Sequence, residues 1–133
     1  EFLERMPEIW YVKKAILGCV DAGRTIDLML NLHNTETSEY LDAQATDEPT
    51  EKRMRRFFDL LAARTSFDPS QPFRVNDRPA NTTNSLYHER RIPVLLMEQR
   101  IGTSKKLGRR PTVEDRLAFG QQLITVMAET VSE

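Results

Sequence analysis

Apolar residues recur along this chain in two rhythms, and the change of rhythm marks the elements. Ile9, Val12, Ile16, Cys19 and Val20 fall three or four residues apart, which predicts a helix from Pro7 or Glu8 to Val20. "DAGR" ends it, with Gly23 suited to a helix C-terminus. In "TIDLMLNLH" the period drops to two: Ile26, Leu28, Leu30 and Leu32 alternate with Asp27, Met29 and Asn31, as in a partly buried strand that closes at His33. "SEYLDAQ" reads as a short second strand after a turn. "TDEPTEKRMRRFFDLLAARTS" returns to the helical period, with Pro49 in its first turn and Met54, Phe57, Phe58 and Leu61 on its apolar face.

The stretch from Phe67 to Ser85 is polar, holds three prolines and reads as one long ordered loop, of a length often tied to function. "RIPVLLMEQRI" follows as a strand from Ile92 to about Gln99. Its continuous run Val94–Met97 is that of a strand covered on both faces. The chain closes in a helix capped by Thr112, with Asp115 three residues on. Its expected buried stripe is Leu117, Gly120, Leu123, Ile124, Met127 and Val131. Helices mixed with apolar strands predict an α/β fold, with helices packed on a mostly buried sheet.

Composition adds bounds. With 133 residues, 39% apolar and 29% charged, the chain is expected to form a single domain, 1–133. A net charge of −1 gives no electrostatic case for nucleic acid or an anionic membrane. No apolar run approaches the ~20 residues of a membrane span. Lys105, Lys106, Arg109 and Arg110 form a basic cluster that reads as a solvated loop. The single cysteine, Cys19, excludes an internal disulfide framework and reads as a buried thiol. The abrupt start "EFLERMPEIW", with no initiating methionine, is expected of a fragment or a processed piece.

Two residues carry candidate chemistry. His33 stands where an apolar strand runs into polar residues, and ligands in open α/β sheets bind outside the carboxyl ends of strands. A neutral imidazole there suits zinc, with Asn34, Thr35, Glu36 and Thr37 as hydrogen-bonding neighbours. The plain alternative is a histidine that finishes a strand and bonds the loop. Glu98, late in a buried strand, is costly unless it is paired, bound to metal or used. It suits a general base, or else an ion pair with Arg100, which alternates onto the same face. Parallel neighbouring strands would bring His33 and Glu98 to one cleft. A rival arrangement takes His33 and Glu36 as an H-x-x-E pair completed by His88, a self-contained three-ligand site.

"DLMLNLHNT" and "LLMEQRI" together resemble the zinc carboxypeptidase family, including its aspartoacylase-like deacylases. The first stretch is similar to the strand that ends in that family's third zinc ligand. The second is similar to the late strand whose glutamate is the catalytic base, followed two residues on by arginine. The separation, 98 − 33 = 65 residues, is close to the family's. "SLYHERRIPVLLMEQR" and the closing helix "RRPTVEDRLAFGQQLITVMAE" fit the same region. The resemblance implies part of a three-layer zinc-exopeptidase-like fold, a mixed sheet flanked by helices, in which this chain is the C-terminal half of the catalytic domain. It implies zinc as cofactor, His33 as one metal ligand, Glu98 as catalytic base, and Arg100 orienting Glu98 or a substrate carboxylate. The other two ligands and the arginines that clamp a substrate carboxylate belong to an earlier half. The family's substrate-capping tyrosine has no counterpart near Asn76 and Asp77. The implied substrate is a peptide, or in the deacylase alternative an N-acyl amino acid. An incomplete sheet edge predicts a homo-oligomer or a companion N-terminal half. A non-catalytic α/β interaction module is the reading from a different class.

Overall fold

A computed structural model describes residues 5–44, 46–76 and 82–132. Its elements are α1 (Pro7–Asp21), β1 (Met29–Thr35), β2 (Tyr40–Gln44), α2 (Glu48–Arg64), β3 (Arg74–Asn76), α3 (Thr82–Arg90), β4 (Val94–Arg100) and α4 (Val113–Val131). The strands form one mixed sheet in the order β1-β4-β2-β3. β1 runs parallel to β4, β2 antiparallel to β4, and β3 parallel to β2. The fold is therefore α/β, a four-stranded mixed sheet flanked by helices. No described helix is long and apolar enough to cross a membrane.

β4 is an inner strand and is covered on both faces, which is why its apolar run is continuous. On one face Leu41, Ala43, Leu95 and Met97 pack with Met54, Phe57 and Leu61 of α2 and with Phe119, Leu123 and Val126 of α4. Burying each of the Leu, Met, Phe and Val side chains among these contributes about 1.5–3 kcal/mol. On the other face Val94 joins Leu86 of α3, Ile92, Met29, and Ile16, Leu17 and Val20 of α1. That second layer covers only the beginning of β4. The level of Glu98 lies beyond it.

Local chemistry sets the helix ends. Asp47 accepts from the Thr50 amide at the start of α2 (2.9 Å), and Thr112 and Asp115 form a capping box on α4. Lys106 donates to the carbonyls of Ala62 and Thr65, filling acceptors left open where α2 ends.

Several expectations are corrected. The segment 67–85 is not one loop. It contains β3 and the start of α3, and residues 77–81 within it lie outside the described residues. Phe67 and Phe73 hold it down in the core. β1 continues to Thr35, so His33 lies within the strand rather than closing it. The buried stripe of α4 is Phe119, Leu123, Val126 and Thr130, while Leu117, Ile124 and Val131 are exposed. Val12 of α1 is also exposed, and Cys19 is only partly buried. The basic cluster does lie in an exposed loop, where Arg109 bonds Asp115 and Arg110 bonds Glu36 (3.0 Å).

Candidate active site

The parallel pairing of β1 with β4 makes His33 and Glu98 ladder partners. Partners in a ladder point to the same face, so their side chains meet over the sheet. His33 Nδ1 lies 4.0 Å from Glu98 Oε1, and His33 Nε2 lies 3.1 Å from Asn31 Oδ1. Asn31 is two residues earlier on β1 and so shares this face. The His33 side chain is 48% exposed and that of Glu98 12%. Glu98 Oε2 is buried and has no hydrogen-bond partner. A buried carboxylate oxygen left without a partner is costly to folding.

Tyr40 is the ladder partner of Glu98 on the other side. Burial first, and then the charge of Glu98, push the Tyr40 phenol above its ordinary value, so it stays a proton donor. His33, Glu98 and Tyr40 thus form one row across three strands. A second row holds Asn31, Leu96, Asp42 and Arg74, in which Arg74 pairs with the buried Asp42 (Nε–Oδ1 3.4 Å). The sequence reading gave no part to Tyr40. The alternation of "SEYLDAQ" puts Tyr40 and Asp42 on one face, but the register that sets Tyr40 against Glu98 is a tertiary fact.

Arg100 is turned to the loop after α2. Its Nη2 donates to Ser70 Oγ (2.8 Å), its Nη1 to the Thr103 carbonyl (3.3 Å), and Asp68 Oδ2 lies 3.6 Å away. The Asp68 amide in turn donates to Glu39 Oε2 (3.1 Å). This network ties the end of β4 to the 65–73 segment and so fixes the strand that carries Glu98.

Among the described residues no group of three His, Cys, Asp or Glu side chains is close enough to hold a metal ion. Glu36 is drawn to Arg110, and the rival grouping of His33, Glu36 and His88 is not brought together. The donor set at the row is one imidazole and one carboxylate. That is short of the three protein ligands a catalytic zinc takes.

No family model matches the chain, and no curated protein matches it significantly. Among solved structures it matches the crystal structure of a metallo-carboxypeptidase from Burkholderia cenocepacia, with a TM-score of 0.73 over 97% of this chain at 17% identity. The chain carries part of a carboxypeptidase-like fold. It spans 35% of the length of that metallo-carboxypeptidase. The His33–Glu98 row lies on the same sheet face as the α1–α3 layer, which packs at Val94.

Proposed function

We propose that this chain supplies one zinc ligand, His33, and the general base, Glu98, of a zinc-dependent metallocarboxypeptidase-like hydrolase. One observation carries the reading: an exposed imidazole and a nearly buried carboxylate are ladder partners 4.0 Å apart, and the carboxylate keeps one oxygen without a partner. The likeness of the fold to a metallo-carboxypeptidase supports it. His33 would hold the zinc in part, and the metal, when bound, would supply Lewis-acid polarisation of the scissile carbonyl. Glu98 takes a proton from the attacking water and returns it to the leaving amine. Tyr40, kept protonated, is a donor beside the carboxylate. Arg100 acts as a positioning residue through Ser70 and Asp68. The remaining zinc ligands come from outside this chain, so the chain alone turns over little or nothing.

The test is hydrolysis by the assembled protein of two substrate panels, peptides cleaved at the C-terminus and N-acyl amino acids. Glu98→Gln should abolish turnover on whichever panel is used, with KM little changed, while Arg100→Lys should lower kcat in part. Turnover of the peptide panel assigns carboxypeptidase chemistry, and turnover of the acyl panel assigns deacylation. Full activity in Glu98→Gln on both overturns the proposal.

A further inference from the structure

The two ring nitrogens of His33 are distinct, and what each one meets decides what the imidazole can do. Nε2 lies 3.1 Å from Asn31 Oδ1. Nδ1 faces Glu98 Oε1 at 4.0 Å, beyond hydrogen-bond reach. An amide oxygen accepts a hydrogen bond and cannot donate one. The bond to Asn31 therefore needs the proton on Nε2, which leaves the lone pair of Nδ1 turned toward the carboxylate. In the neutral ring two acceptors then face each other, and no hydrogen bond closes the gap between them.

Strand geometry gives Asn31 this contact. Side chains two residues apart on β1 share a face, with Cα atoms ~6.7 Å apart, a span that an Asn and a His side chain bridge together. The polar residues that follow His33 are turned away or engaged elsewhere. Asn34 alternates to the opposite face of the sheet. Thr35 Oγ1 donates to the Ser38 carbonyl (2.8 Å) and accepts from the Ser38 amide (3.0 Å). Glu36 accepts from Arg110 (3.0 Å). The ladder partner of Asn31 is Leu96, whose side chain offers no polar group to compete for the amide. Asn is also depleted in strands, and the bond to His33 gives it a use between Leu30 and Leu32.

We propose that Asn31 is a positioning residue, which fixes His33 as the Nε2–H tautomer and keeps the Nδ1 lone pair directed at the Glu98 side of the site. The other tautomer would turn a donor toward Glu98 and tie the carboxylate to the ring. Asn31 works against that pairing and leaves an accepting nitrogen and a carboxylate open to one ligand. The role, though not the contact, rests on the proposed function, because an imidazole binds metal through an unprotonated nitrogen.

Long-range proton–nitrogen correlation spectra of the nitrogen-labelled, zinc-free chain, taken where His33 is neutral, read the tautomer directly. The wild-type ring is expected almost wholly in the Nε2–H form. Asn31→Leu keeps the shape and removes the acceptor. It should raise the ratio of Nδ1–H to Nε2–H about threefold to tenfold, the worth of one such hydrogen bond. Asn31→Ala, a second variant without the acceptor, should give the same change. Asn31→Asp restores an acceptor and should return the ratio to the wild-type value or below it. An Nδ1–H ring in the wild type overturns the proposal. So does an unchanged ratio in either acceptor-free variant whose amide spectrum shows it folded. Neither zinc nor substrate is present, so failure here leaves the Glu98→Gln test of hydrolysis standing, and failure of that test leaves the tautomer standing.

Discussion

His33 and Glu98 face each other as ladder partners of two parallel strands, 4.0 Å apart at Nδ1 and Oε1. Residues 65 positions apart in sequence (98 − 33) become neighbours because β1 and β4 lie side by side although two strands intervene along the chain. β1 exposes its histidine because it is an edge strand. β4 buries its glutamate because it is an inner one. The same topology that builds the core therefore sets a solvent-facing imidazole against a desolvated carboxylate.

Glu98 is expected to cost the fold something. Its Oε2 is buried without a partner, so Glu98→Gln should leave unfolding free energy unchanged or raise it by up to about 1 kcal/mol. Urea denaturation checks this. A clear loss of stability would mean that the carboxylate has a structural partner.

His33→Ala should change stability by less than about 0.5 kcal/mol, because the ring is half exposed. Phe57→Ala, in the centre of the core between α2 and the sheet, should cost about 3–5 kcal/mol. Thermal melts of the two variants in parallel separate site residues from packing residues.

Gly102 needs its hydrogen atom. A Cβ there would collide with the Glu36 carbonyl oxygen, to which the Gly102 amide itself donates (2.9 Å). Gly102→Ala is expected to destabilise by about 1–3 kcal/mol, read from the urea midpoint. An unchanged midpoint would show that the turn after β4 can open without loss.

Much of this architecture is legible in the sequence. Strong periodicity locates α1, β1, α2, β4 and α4, and the Thr112–Asp115 spacing locates the cap of α4. β3 and α3 are hidden for physical reasons. β3 is a three-residue edge strand, Arg-Val-Asn, with no buried apolar side chain. α3 buries Leu86 and Tyr87 within an otherwise polar run, too little for a stripe. The α4 stripe misleads because two apolar seams lie one residue apart on the helix, and periodicity alone does not tell which faces the core. For the site, His33 and Glu98 stand out as residues whose type conflicts with their strands. Tyr40 does not, because only the β2–β4 register gives it a role. The turn of Arg100 toward Asp68 and Ser70 likewise depends on where the 65–73 segment lands.

Two carboxylates should shape the pH profile in opposite senses. Burial raises the pKa of Glu39 above its ordinary value. The folded state then holds a proton that the unfolded state has released, and Glu39's contribution to stability falls as pH rises from about 4.3, its unfolded value, through the folded pKa. The hydrogen bond with Arg109, followed by that from the Thr112 amide, holds Asp115 well below the usual carboxylate range. Its contribution is present above about 3.9 and is lost as pH falls toward its folded pKa. Glu39→Gln should therefore flatten the decline above pH 4.3, and Asp115→Asn should flatten the loss in acid. Chemical denaturation across pH reads both slopes, and an unaltered profile in either variant would contradict that assignment.

The most direct measurement is a zinc titration of this chain followed through the imidazole resonances of His33 and His88. The account predicts that zinc perturbs His33, weakly and with no saturation at one equivalent, that His88 is untouched, and that His33→Ala abolishes the effect. Tight one-to-one binding that moves both histidines would contradict it, because the chain would then hold a complete metal site of its own.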